Sequence, residues 1–124
     1  MKSLFVNALA PVLLLAACAA KPLLPGGENI VLSKEPAPAD CEFLGEVQGK
    51  QGNFWTADFT TDANLINGAR NELRNAAHAM NANYVKIETE SISHNTADHS
   101  LGGAFSAVVI GNAYRCSEEV LAAT

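Results

Sequence analysis

His94, Asp98 and His99 sit in one polar stretch, and two imidazoles with a carboxylate are donors that suit Zn²⁺. The adjacent Asp98-His99 pair does not converge easily on one ion, and the spacing matches no established site, so the stretch reads first as an exposed loop. Arg70, Arg74 and His78 recur at i, i+4 and i+8, with Asn67, Asn71 and Asn75 close by. Such a basic stripe on a helix could meet a phosphate, a peptide carboxylate or a protein partner. The competing reading is a solvated face balanced by Glu72 and neighbouring acids. Trp55, flanked by Phe54 and Phe59, puts unusual aromatic density into a connection. Those rings either cap the core or form a binding patch, because Trp joins a large apolar area to a polar handle. Motifs of catalysis are missing: no G-x-S-x-G elbow, no H-E-x-x-H, no P-loop and no dinucleotide fingerprint occurs. Ser91, Ser93 and His94 are neighbours in sequence, which alone makes no triad. The expectation is therefore a protein that is not an enzyme, with no catalytic residue, no metal and no cofactor.

The three cysteines divide into one and two. Cys18 follows Leu15-Ala16-Ala17 behind a short apolar run that starts after Lys2. That order of positive charge, apolar stretch and small residues is a secretory signal pattern. The run is broken by Asn7 and Pro11 and is shorter than the roughly 20 residues a membrane-spanning helix needs. With cysteine at the cleavage point it has the form of a bacterial lipobox, which predicts cleavage between Ala17 and Cys18 and lipidation of Cys18. The resemblance to bacterial lipoproteins implies a diacylglyceryl thioether on that sulfur and an acyl chain, such as palmitate, on its amino group. Each buried CH₂ contributes about 0.8 kcal/mol, so several chains anchor firmly where one does not. Ala19 in place of Asp implies, by the same resemblance, sorting to the outer membrane of a Gram-negative cell, facing the periplasm. Cys41 and Cys116 remain, and an even pair in an oxidising compartment reads as one disulfide. A redox or metal thiol pair is the alternative, although no C-x-x-C spacing is present.

The formal net charge is −5 at pH 7. An acidic body argues against nucleic acid, which rewards positive charge, and against electrostatic adhesion to anionic lipid.

The elements that must position these residues follow from local pattern. Residues 18–29 carry Pro22, Pro25, Gly26 and Gly27 and read as a lipidated N-terminus with a flexible tether. Ile30-Val31-Leu32 reads as a brief edge strand. Residues 41–48 read as a strand with Cys41, Phe43, Gly45 and Val47 on one face, ended by a turn over residues 49–53. Residues 62–80 read as a helix capped by Thr61 or Asp62, with a stripe of Leu65, Ile66, Ala69, Leu73, Ala76, Ala77 and Met80. Asn81 or Asn83 is its expected stop. Residues 84–92 form the next strand, with Val85 and Ile87 inward and Lys86, Glu88 and Glu90 outward. A polar loop spans residues 93–103. The last strand runs to Cys116, with Val108, Ile110, Tyr114 and Cys116 in one phase, and residues 118–124 form a short tail that frays. If Cys41 and Cys116 are joined, the last strand lies between the other two and antiparallel to both.

Taken together, the lipobox, Cys41-Glu42-Phe43-Leu44-Gly45, Gly49-Lys50-Gln51, Trp55, Asn71-Glu72-Leu73-Arg74-Asn75-Ala76-Ala77, Met80-Asn81-Ala82-Asn83-Tyr84-Val85 and Ile110-Gly111-Asn112-Ala113-Tyr114-Arg115-Cys116 resemble the small YjeI-type lipoproteins, a domain-of-unknown-function family. The resemblance spans most of residues 41–116 and implies no catalytic residues. At the level of fold, the helix-to-strand junction is also similar to RcsF and YbjQ-type domains. The extra cysteine pair and Pro-rich basic linker of RcsF are missing here, so its signalling role does not carry over.

The resulting expectation is an α/β (α+β) domain: a small mixed sheet of three to four strands with one packed helix, stapled by one disulfide. Residues 1–17 are the signal, 18–29 the tether, 30–117 the domain and 118–124 the tail. Its partners are the membrane, through Cys18, and an envelope protein or cell-wall component met through Trp55, Arg70 and Arg74. The alternative is a small-ligand or metal-binding module that uses the 93–103 loop.

Overall fold

The computed structural model describes residues 20–52, 62–94 and 104–123. In chain order the elements are a single 3₁₀ turn (Gly27–Asn29), β1 (Val31–Ser33), β2 (Glu42–Gln51), α1 (Asp62–Ala79), β3 (Tyr84–His94), β4 (Ala104–Arg115) and α2 (Glu118–Ala122). The sheet order is β1-β3-β4-β2. β1 runs parallel to β3, and β4 runs antiparallel to both β3 and β2. This is the expected small α+β fold, with β4 between its two partners.

The helix forms because its apolar residues recur on one side. Leu65, Ala69, Leu73 and Ala77 are buried, and Ile66 and Ala76 pack beside them. It stops at Asn81, whose φ of 65° is the left-handed conformation asparagine tolerates. Ala82 N–H donates to Ala77 O at 3.0 Å and Asn81 N–H to His78 O at 2.9 Å, which closes a Schellman cap. α1 then covers one face of the sheet, over Val47, Val85, Ile87, Val109 and Ala113.

That helix lies very close to β2. A Cβ on Gly49 would collide with the Ala69 carbonyl and the Leu73 amide. Gly49-Lys50-Gln51 continues β2, paired with Val109, Val108 and Ala107 of β4, instead of turning, and only glycine fits under the helix at that row. The phase of β4 is the reverse of the expected one. The small residues Ala107, Gly111 and Ala113, with Val109, face α1, while Val108, Ile110, Asn112 and Tyr114 lie half-exposed on the other face.

Two bulges account for the other differences from the alternation. The register of β2 against β4 shifts between Phe43 and Gly45, where Gly45 takes a φ of 153°. One extra residue inverts the faces, so Phe43 is 58% exposed and meets Tyr114 edge-on, with ring centroids 5.5 Å apart. The register of β3 shifts between Ile87 and Thr89, which turns Glu90 to the helix side instead of outward.

The segment read as a tether is held against the helix, and the segment read as a tail contains a short helix. From Lys21 onward the supposed tether lies along α1. Asn71 Nδ2 donates to Lys21 O at 2.8 Å, Asn75 Nδ2 donates to Pro22 O at 3.1 Å, and Leu24 N–H donates to Asn75 Oδ1 at 2.9 Å. At the other end, Ser117 caps α2 by accepting from Val120 N–H at 3.3 Å. Cys41 and Cys116 are joined as a disulfide just before β2 and just after β4.

Candidate functional site

The basic stripe of α1 divides into three environments. Arg70 grips Glu90 on β3 with two parallel bonds, Nε to Oε1 at 2.6 Å and Nη2 to Oε2 at 3.0 Å. Glu90 is there because of the β3 bulge, and its side chain is only 15% exposed. His78 lies against Gly26, where an added Cβ would collide with its ring. Arg74, one turn from each, has no hydrogen bond or ion pair among the described residues.

Arg74 instead lines a cleft of about 240 Å³ between α1 and β1, with Leu32, Ser33, Lys34, Arg70 and Ile87. Lys34 adds a third cation, its Nζ 3.8 Å from Glu90 Oε2. Three positive side chains thus line one cleft, and two of them, Arg70 and Lys34, share the Glu90 carboxylate, in a protein that is acidic overall. The electrostatics reflect that crowding. Burial lowers the pKa of Arg74 and the adjacent Arg70 charge lowers it further, although guanidinium stays protonated at physiological pH. The hydrogen bond from Arg70 holds Glu90 below the ordinary carboxylate range; desolvation opposes it, and Arg70 and Lys34 charge add to it. The same bond raises the pKa of Arg70.

The depressed Glu90 has a stability consequence whose sign is fixed. A carboxylate with a lower pKa in the folded state stabilises the fold above its unfolded pKa, and that contribution is lost as pH falls through the folded value. Glu90→Gln is expected to cost about 1 kcal/mol at pH 7, the half-exposed Arg70 being screened by water. Denaturant unfolding of both proteins from pH 7 downward checks this: the gap narrows below the ordinary glutamate pKa and closes in strong acid. A gap independent of pH would mean that the carboxylate charge contributes nothing.

A second polar cluster fixes the N-terminal segment. Lys21 Nζ pairs with Glu72 at 2.7 Å, and Lys50 N–H donates to the same oxygen at 2.9 Å. Desolvation pushes the Glu72 pKa up, but these hydrogen bonds and charges outweigh it and leave the pKa lowered. These contacts are structural: they seal residues 21–24 onto the helix.

Of the residues singled out from the sequence, Arg70 and Arg74 share one cleft. Trp55, Asp98, His99 and Cys18 lie outside the described residues, as does the side chain of His94. Among the described residues no group of three or more His, Cys, Asp or Glu side chains could hold a metal. Lys34 also lines the cleft and Glu90 holds Arg70 at its side; neither carries a local signal, since one follows a three-residue strand and the other is reoriented by a bulge. Opposite α1, the sheet face carries Phe43, Tyr84 and Tyr114 in one aromatic row, and the Tyr84 hydroxyl donates to Glu35 O at 2.9 Å.

Fold and cleft define a small disulfide-stapled α+β domain with one main helix on a mixed sheet. The chain belongs to the family described as a domain of unknown function, DUF4156, whose sequence profile matches residues 21–116. It is similar to the protein named Uncharacterized protein YjeI of Escherichia coli (strain K12), with 32% identity over 74 residues. The relative of that name in Shigella flexneri matches equally. The matched segment covers 59% of this chain and spans 63% of the length of these curated relatives.

Proposed function

We propose that this protein is a lipid-anchored envelope protein that works by interaction rather than catalysis. Residues 1–17 direct export, Cys18 carries the acyl chains, and the body faces the periplasm from the outer membrane. The observation that supports this reading is the Cys41–Cys116 pair. A disulfide persists in an oxidising compartment, and it accounts for two of three cysteines, leaving Cys18 alone behind Leu15-Ala16-Ala17. The cationic cleft supports the second half of the reading, because it presents to a partner the guanidinium of Arg74, fixed on α1 beside the Arg70–Glu90 pair. No helix among the described residues is long and apolar enough to cross a membrane.

Labelling with an alkyne fatty acid in a Gram-negative host tests the anchor. The wild-type chain is expected to incorporate label, to lose residues 1–17 by mass, and to fractionate with the outer membrane. Cys18→Ala is expected to lose the label and to retain the uncleaved precursor. A mature chain that is cleaved but unacylated overturns the proposal.

A further inference from the structure

Most cations on a folded surface are matched by acids or spread into water. Arg74 is neither: it is partly buried, stands beside Arg70, and finds no partner among the described residues. Its neighbour Arg70, by contrast, is already matched by both oxygens of Glu90. A second anion in the cleft would therefore complete Arg74 without displacing any bond the fold uses.

The surroundings of Arg74 select the kind of anion. Leu32 and Ile87 give the cleft an apolar floor, which a hydrated inorganic ion gains nothing from covering. A planar carboxylate matches the guanidinium fork with two parallel bonds. The third wall is β1, which is an edge strand among the described residues. Val31 N–H donates to Asn83 O at 3.0 Å, so the alternation of a parallel strand turns the peptide groups of Leu32 outward, away from β3. β1 is the outermost strand on this side, and those groups can bind the backbone of an extended peptide.

We propose that the cleft lined by Leu32, Lys34, Arg70 and Arg74 binds the terminal carboxylate of a short peptide, with Arg74 as the residue that captures it. The apolar floor takes a small side chain next to that carboxylate, and Lys34 supplies long-range attraction. This deepens the reading of an interaction module and rests on it for biological purpose. Its test is separate from that of the anchor, which is read from acylation at Cys18.

The test uses the full chain in detergent and the NMR signals of the arginine Nε–H groups. The probes are N-acetyl-Ala-Ala with a free carboxylate, the same dipeptide as its amide, and inorganic phosphate, all at one ionic strength. The free acid is expected to shift the Arg74 signal saturably, with half-saturation at about 1 mM or below. The amide is expected to produce no saturable shift, and phosphate to bind at least about tenfold more weakly than the free acid, a difference of about 1.4 kcal/mol. Arg74→Gln is expected to weaken dipeptide binding at least about tenfold, read from the Arg70 signal. Lys34→Gln changes an exposed side chain, preserves the fold, and is expected to weaken binding about threefold, the size of one screened charge. Equal binding of acid and amide overturns the proposal, as does equal binding of phosphate, or no saturation by any probe. Full affinity in both variants overturns it as well.

Discussion

Removing the Cys41–Cys116 bond is expected to cost this protein about 4 kcal/mol, the chain-entropy value for a loop of this size. The two cysteines are 75 residues apart, so the bond closes almost the whole folded domain in the denatured ensemble. Single domains are stable by only about 5–15 kcal/mol, and a small core supplies a modest share of that. The loss is thus a large fraction of the total. Cys116 is nearly buried, at 2% exposure, and serine at that position adds a desolvated hydroxyl. Comparing Cys41→Ala/Cys116→Ala with the oxidised wild type by urea unfolding isolates the cross-link. The expected result is a much lower midpoint together with a higher m-value, because the unbridged denatured chain exposes more surface. A loss below about 1 kcal/mol would show that the bond strains the native state as much as it restrains the denatured one.

The elements with strong local periodicity were legible in the sequence. Leu65, Ala69, Leu73 and Ala77 mark α1 without reference to anything else, and counting cysteines after setting Cys18 aside gives the pair that orders the strands. Legibility stopped where one residue changes the phase. Neither the bulge before Gly45 nor the one after Ile87 alters composition, yet each inverts a face, and Phe43 and Glu90 move with it. The phase of β4 failed for a related reason. Val108 and Ile110 look like core residues, but the helix side of β4 is taken by Ala107, Val109, Gly111 and Ala113, and a Cβ on Gly111 would collide with Val85 and the Lys86 carbonyl of β3.

The docking of residues 21–24 was hidden because side chains of Asn71 and Asn75 hold backbone groups far away in sequence, an arrangement with no period. The candidate cleft was half legible. Arg70 and Arg74 announce themselves by helical spacing. Lys34 joins them only because β1 lies beside β3, and Glu90 reaches Arg70 only because of the β3 bulge, neither of which a local pattern encodes. The general lesson is that spacing finds residues on one element, whereas whether a charge is satisfied is decided between elements.

Asn83→Ala is expected to cost about 2–4 kcal/mol, because the side chain satisfies two buried backbone groups that alanine would leave unpaired. Asn83 Nδ2 donates to Cys116 O at 2.7 Å, and Cys116 N–H donates to Asn83 Oδ1 at 2.8 Å. A side-chain amide carries the same donor and acceptor as a peptide group, so Asn83 extends the β3–β4 ladder one row beyond Tyr84 and Tyr114. Its main chain does the same for two further strand ends: Asn83 N–H donates to Tyr114 O at 3.0 Å, and Asn83 O accepts from Val31 N–H at 3.0 Å. The residue is 8% exposed, so water does not readily replace the lost bonds. Asn83→Asp separates pairing from packing. Its carboxylate keeps the acceptor for Cys116 N–H but turns a second oxygen toward Cys116 O, which raises the folded-state pKa. The variant is therefore expected to be least stable at neutral pH and to gain on the wild type as pH falls, when the protonated carboxyl becomes a donor again. Thermal unfolding of wild type, Asn83→Ala and Asn83→Asp between neutral and acid pH checks both. A pH-independent deficit in Asn83→Asp would show that the bond to Cys116 O contributes little, and that shape alone keeps asparagine at this junction.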